Sequence, residues 1–178
     1  MTVLDGGPGG PVKGLTLSSG LALVSLEGAG LIGVPGTAER VFAALHRAGI
    51  SVVMISQGSS EHSICCVVEA RHAERAVSEL SDAFARELDR GQVQDVSAER
   101  DIAVLAVVGD GMAGTPGVAA RLFDALARSR INVRAIAQGA SERNISVAIG
   151  GADVARALRA VHAGFYLSAQ TLSVGLIG

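Results

Sequence analysis

Apolar positions along this chain fall into two rhythms, one of period two and one of helical period, and they alternate. Val12-Lys-Gly-Leu-Thr-Leu17 and Leu21-Ala-Leu-Val-Ser-Leu26 are short apolar runs separated by Ser-Ser-Gly, which predicts two strands. Ala38, Val41, Phe42 and Leu45 then share one helical face. That helix should begin at Pro35 or Gly36, because Pro is tolerated where the N–H has no intrahelical partner, and should end at Gly49. Ile50–Gln57 and Ser63–Val68 are β-branched runs joined by the polar turn Gly58-Ser-Ser-Glu61, which predicts a hairpin. Ala73, Val77, Leu80, Phe84 and Leu88 predict one long helix from about Arg71 to Arg90, with Glu74, Glu79 and Arg86 facing water.

This pattern occurs twice. Gly28, Gly30, Gly33, Pro35, Gly36, Arg40, Phe42, Ile50, Gln57, Gly58, Ser60, Glu61 and Ile64 each find the same residue type 81 positions later, from Gly109 to Ile145, without a gap. The runs Val93–Ala98 and Ile102–Val107 repeat the first two strands, and Ala152 to about Leu167 repeats the long helix. Self-similarity at a fixed period implies two copies of one small module built as strand, strand, helix, strand, strand, helix. The second copy lacks a final strand like Val93–Ala98, whereas Val12–Leu17 is spare at the beginning. The expected organisation is therefore nested: residues 20–100 form module 1, and residues 12–18 with 101–170 form module 2. Residues 1–11, rich in Gly and Pro, are expected to be a flexible lead or linker. Residues 171–178 offer a rival closing strand.

Composition narrows the chemistry. Aromatic residues make up 3% and the net charge is −2, so neither the stacking platforms nor the basic face that nucleic acid requires is available. No apolar run approaches the roughly 20 residues of a membrane span, and the start lacks a charged-then-apolar signal pattern, which fits a cytoplasmic chain that contacts no membrane. Cys65 and Cys66 are adjacent in a predicted strand and point to opposite faces, which predicts reduced thiols. The four histidines have no Cys or carboxylate at metal-ligand spacing, so no metal is expected.

Gly28-x-Gly30-x-x-Gly33 and Gly109-x-Gly111-x-x-Gly114 each follow a strand and precede a helix, the context of a dinucleotide-binding turn. That fold needs a carboxylate at the end of its next strand for the ribose, and Ser51–Gln57 and Asn132–Gln138 contain none. The turn does supply backbone N–H groups at a helix N-terminus, where a carboxylate fits. Across the neighbouring strand Gln57 and Gln138 offer a donor and an acceptor, enough to read a hydroxyl or an ammonium group. A small zwitterion with a polar side chain is the implied ligand; equally, both glutamines could start a hairpin by bonding their own turn. Catalysis is poorly supported, with a single lysine (Lys13), no phosphate-binding loop and no evident nucleophile set. Glu61 and Glu142 suit a turn or interface role, and Arg40 and Arg121 a solvated or interfacial one.

Three stretches carry a resemblance: Leu21-Ala-Leu-Val-Ser-Leu-Glu-Gly28 with Gly33-Val-Pro-Gly-Thr-Ala38, Val53-Met-Ile-Ser-Gln-Gly-Ser-Ser-Glu-His-Ser-Ile64, and Ile131-Asn-Val-Arg-Ala-Ile-Ala-Gln-Gly-Ala-Ser-Glu142. They closely resemble the tandem ACT region of aspartokinases, above all of bifunctional aspartokinase/homoserine dehydrogenases. The likeness covers about residues 12–178 and includes Arg159-Ala-Val-His162 and Phe165-Tyr-Leu-Ser168. Leu172-Ser-Val-Gly-Leu-Ile-Gly178 looks like the first strand of the dehydrogenase's nucleotide domain. The resemblance implies an α+β fold of two ferredoxin-like βαββαβ modules whose antiparallel sheets pair side by side, a homodimer, and feedback inhibition by an amino acid, threonine in the bifunctional branch. By position, Gln57 and Gln138 match the family's threonine-contacting glutamines. Gly30, Gly33, Ser51 and Ile64, with Gly111, Gly114, Asn132 and Ile145, would line two pockets. Threonine is then the expected effector, with no cofactor in this chain. The kinase domain and nearly all of the dehydrogenase are absent, so the chain reads as a regulatory piece or free-standing sensor of attached or associated catalytic domains. A non-binding dimerisation module and a nucleotide-binding enzyme are the alternatives.

Overall fold

The computed structural model describes residues 2–5, 10–31, 34–57 and 63–165. Its elements are β1 (Thr2–Asp5), β2 (Gly14–Glu27), α1 (Thr37–Arg47), β3 (Val52–Ser56), β4 (Ser63–Glu69), α2 (Ala73–Ala83), α3 (Ala85–Asp89), β5 (Asp95–Val108), α4 (Val118–Arg128), β6 (Val133–Gln138), β7 (Asn144–Gly150) and α5 (Val154–Gly164). They fall into two units, Gly20–Asp101 and Met1–Ser19 with the chain from Ile102 onward.

In the unit Gly20–Asp101 the strand order is β3-β4-β2-β5, and β4 runs antiparallel to both β2 and β3. Leu21 opposes Glu69 and Glu27 opposes Ser63. The Gln94 N–H donates to the Glu27 carbonyl at 2.7 Å, which ties β5 to β2 at this end. The other unit orders its strands β6-β7-β5-β2, with Ile102 opposite Gly150 and Val108 opposite Asn144, the same register 81 positions on. Here the Lys13 N–H donates to the Val108 carbonyl at 2.8 Å. Even the irregularity repeats: β3 shifts register against β4 between Val52 and Met54, and β6 against β7 between Val133 and Ala135.

Each unit has its own core. Val24, Leu26, Val41, Leu45, Ile64, Cys66, Leu80 and Phe84 pack together in one, and Leu15, Leu105, Leu122, Leu126, Ile145, Val147 and Val161 in the other. Burying each such side chain contributes about 1.5–3 kcal/mol, so mainly aliphatic side chains support both cores, with Phe84 in one and Phe165 in the other. Cys65 and Cys66 are free thiols. Burial pushes the Cys66 thiol up to about 12, with the neighbouring Cys65 adding to the shift, so Cys66 packs as a small apolar side chain.

Three expectations need correction. The paired apolar runs before each helix are single strands: Gly20 (φ 72) bends β2 and Asp101 (φ 56) bends β5, so the Ser-Ser-Gly signal marks a bend and not a turn. The long helix to Arg90 breaks at Phe84 (φ −114, ψ 22). Phe84 is fully buried, and the Arg40 guanidinium stacks 4.2 Å above its ring while donating at 2.7 Å to the Ala83 carbonyl freed by the break. Lastly, the Gly/Pro-rich lead is not wholly irregular, because Thr2–Asp5 pairs antiparallel with β2, Thr2 opposite Leu17. Residues 171–178 lie outside the described residues.

Candidate functional site

Each unit opens a cleft where its glycine-rich turn meets the first turn of a helix and the end of an edge strand. In the unit Gly20–Asp101 the cleft is about 270 Å³ and is lined by Leu31, Val34, Gly36, Thr37, Ala38, Gln57, Ser63 and Ile64. In the other it is about 370 Å³, lined by Met112, Gly114 to Ala119, Gln138, Glu142 and Ile145. The local sequence explains both. Gly36 (φ 84) and Gly117 (φ 89) take left-handed backbone conformations immediately before α1 and α4 and accept the N–H of Arg40 and Arg121 at 3.0 Å. The helix N-termini therefore open into the clefts, a favourable place for an anion. Pro35 and Pro116 sit one position before these glycines.

The glutamines stand at the C-terminal ends of the edge strands, exposed on the cleft walls, while Ile64 and Ile145 are buried beneath. Hydroxyls differ between the clefts. Thr37 Oγ1 donates to the Val34 carbonyl at 3.0 Å, whereas the equivalent of Thr37 is Val118 and the cleft hydroxyl is Thr115, whose Oγ1 donates to the Gly111 carbonyl at 2.7 Å. Ser63 lines the first cleft. In the second, the Gly114 N–H donates to Glu142 Oε2 at 2.7 Å.

Of the residues expected to line pockets, Gln57 and Ile64 meet in one cleft and Gly114, Gln138 and Ile145 in the other. Gly33 lies outside the described residues. Ser51 and Asn132 line neither cleft. Each precedes its glutamine by six residues of extended chain, which puts it roughly 20 Å away at the opposite strand end. Gly30 and Gly111 are also absent from the clefts, because their turns press on another segment of their own unit. A Cβ on Gly30 would lie 2.9 Å from the Gln92 Cα, and one on Gly111 3.1 Å from the Pro11 Cα. Their neighbours Gly28 and Gly109 are tighter still, since a Cβ there would land on the carbonyl oxygens of Gln92 and Pro11. The first two glycines of each motif thus serve backbone approach within the fold. Thr37, Thr115 and Glu142 were not singled out as lining residues, although Thr37 was legible as the first residue after Pro-Gly.

Comparison with known proteins agrees with this geometry. The model of the ACT domain matches residues 24–84 and again 105–165, two spans offset by the repeat length. The chain is 49% identical over 168 residues to a chloroplastic bifunctional aspartokinase/homoserine dehydrogenase 1 of Arabidopsis thaliana, covering 94% of this chain and 18% of that protein. A bifunctional aspartokinase/homoserine dehydrogenase of Haemophilus influenzae is 41% identical over 167 residues, covering 94% and 20%. The chain thus spans about a fifth of the length of these relatives. Among solved structures, the ligand-free regulatory subunit of aspartate kinase from Thermus thermophilus superposes with a TM-score of 0.70 at 34% identity, covering 87% of this chain and 99% of that one.

Proposed function

Because the chain belongs to the ACT domain family and carries two such repeats, we propose that it is a threonine-sensing regulatory region that exerts feedback inhibition on aspartate kinase and homoserine dehydrogenase domains, attached or associated, and works as a homodimer. One observation carries the reading: in each unit a single cleft is lined by a helix-initiating turn, a glutamine and a buried isoleucine. The N–H groups of the turn suit a ligand carboxylate, the glutamine amide suits an ammonium or hydroxyl, and the apolar wall suits a small methyl-bearing side chain. Threonine combines all three. Regulation follows if the ligand binds one arrangement of the catalytic domains more tightly than another, since only differential affinity shifts an equilibrium.

The test is thermal unfolding of the 178-residue chain with threonine, and with lysine, methionine, NAD and ATP as comparisons. Threonine at a hundred times its dissociation constant should stabilise by about 2.7 kcal/mol. A shift with NAD alone would replace the reading with a nucleotide site, and no shift with any of them would leave a dimerisation module.

A further inference from the structure

Glu142 has no task in the reading above, yet it holds the donor that reading assigns to a ligand. Its Oε2 accepts the Gly114 N–H at 2.7 Å inside the cleft that Gln138, Thr115 and Ile145 also line. Two backbone features bring it there. Glu142 sits in the turn between β6 and β7 at φ 53, a left-handed conformation that costs a non-glycine residue roughly 1–2 kcal/mol, with its N–H on the Gly139 carbonyl at 3.0 Å. Gly114 is likewise left-handed at φ 68, and its N–H is directed at the carboxylate. The turn is tied to the same region by the Gly109 N–H on the Arg143 carbonyl at 2.9 Å and by Arg143 Nε, 3.6 Å from Asp110 Oδ1.

We infer that Glu142 is a latch: its carboxylate takes the Gly114 N–H in the cleft where the carboxylate of an amino-acid ligand binds, and the ligand must displace it. The inference rests on the proposed amino-acid site. Two carboxylates drawn to one N–H donor would stand within a few ångströms of each other, where their like charges repel. The affinity of the cleft is therefore its intrinsic affinity multiplied by the fraction of molecules in which Glu142 has swung away. A hydrogen bond to a charged group at an exposed position holds the closed form by a modest factor, so removing the carboxylate should tighten ligand binding about three- to tenfold. Glu142 is exposed, leaving its side chain room to turn outward without disturbing the core.

The experiment compares the wild-type chain with Glu142→Gln and Glu142→Ala, with folding checked by thermal unfolding, in calorimetric titrations with L-threonine. Tighter binding in both variants is expected. Unchanged affinity overturns the latch, and weaker affinity overturns it by making Glu142 a ligand contact. Hydrogen exchange of the Gly114 amide gives a readout that needs no ligand: exchange should be faster in Glu142→Ala than in wild type, and equal rates overturn the inference. If neither wild type nor variants bind threonine or another amino acid, the site reading fails and the latch with it. Threonine binding to wild type without tightening in the variants overturns the latch alone.

Discussion

The unit Gly20–Asp101 and its repeat share a backbone to the level of a register shift, yet they meet the same local demands with different side chains. At the end of α1 the chain turns through Gly49 at φ 67, and after α4 the same turn is made by Arg130 at φ 53. The bend in β2 uses Gly20 at φ 72; its counterpart in β5 uses Asp101 at φ 56. Arg40 stacks on Phe84 and grips both carboxylate oxygens of Glu87, at 2.6 and 3.1 Å. The equivalent Arg121 stands 5.7 Å from the Phe165 ring centroid, and Ser168 occupies the position matching Glu87. The lesson is that a fold tolerates left-handed backbone without glycine where other contacts over-determine it, at a cost that substitution can recover.

The sharpest test of equivalence is in the cores. Leu45 and Leu126 are both 1% exposed at matching positions, so Leu45→Ala and Leu126→Ala should each destabilise by about 2–5 kcal/mol in urea unfolding. A cost confined to one of them would show that the second core is dispensable. Exchanging the strained positions comes next. Arg130→Gly and Asp101→Gly should each stabilise by about 1 kcal/mol, whereas Gly49→Ala should cost a similar amount; a loss of stability in the first two would mean that their side chains offset the strain.

The clefts can be separated by their glutamines. Gln57→Ala and Gln138→Ala should each weaken threonine binding severalfold to about tenfold while leaving the unfolding midpoint of the free protein unchanged, as read by titration and thermal unfolding. Unequal losses would rank the two sites, and no loss in either would remove the assignment. The smallest effect is electrostatic. The hydrogen bond from Arg40 holds the Glu87 carboxyl below the usual carboxylate range. A lowered folded-state value contributes stability that is present above the unfolded value near 4.3 and is lost as pH falls through the folded one. Stability of wild type should therefore fall more steeply than that of Glu87→Gln below about pH 4, by an amount limited by solvent screening.

Much of this could be read directly from residue order. The repeat, the helix starts at Pro-Gly, the hairpins and the glutamines at strand ends are local signals, each with its own physical cause in backbone geometry or side-chain alternation. Gln57 and Gln138 were legible as cleft residues because they close a strand beside a helix N-terminus. Ser51 and Asn132 stand apart from the two clefts, because positional likeness carries no distance and six residues of extended chain carry a side chain toward the other end of the strand.

What sequence determined alone, then, is the periodic architecture and the identity of the turns, since these depend on neighbours within a few residues. Tertiary structure decided which glycines face a cleft and which face backbone. Gly111 and Gly114 belong to the same motif, yet Gly111 lies against Pro11, 100 residues away in the chain, and Gly114 opens into a cleft. It also decided that Glu142, 28 residues beyond Gly114, returns to occupy that glycine's N–H. Contacts of this kind depend on where long-range pairing brings the chain, which no local pattern encodes.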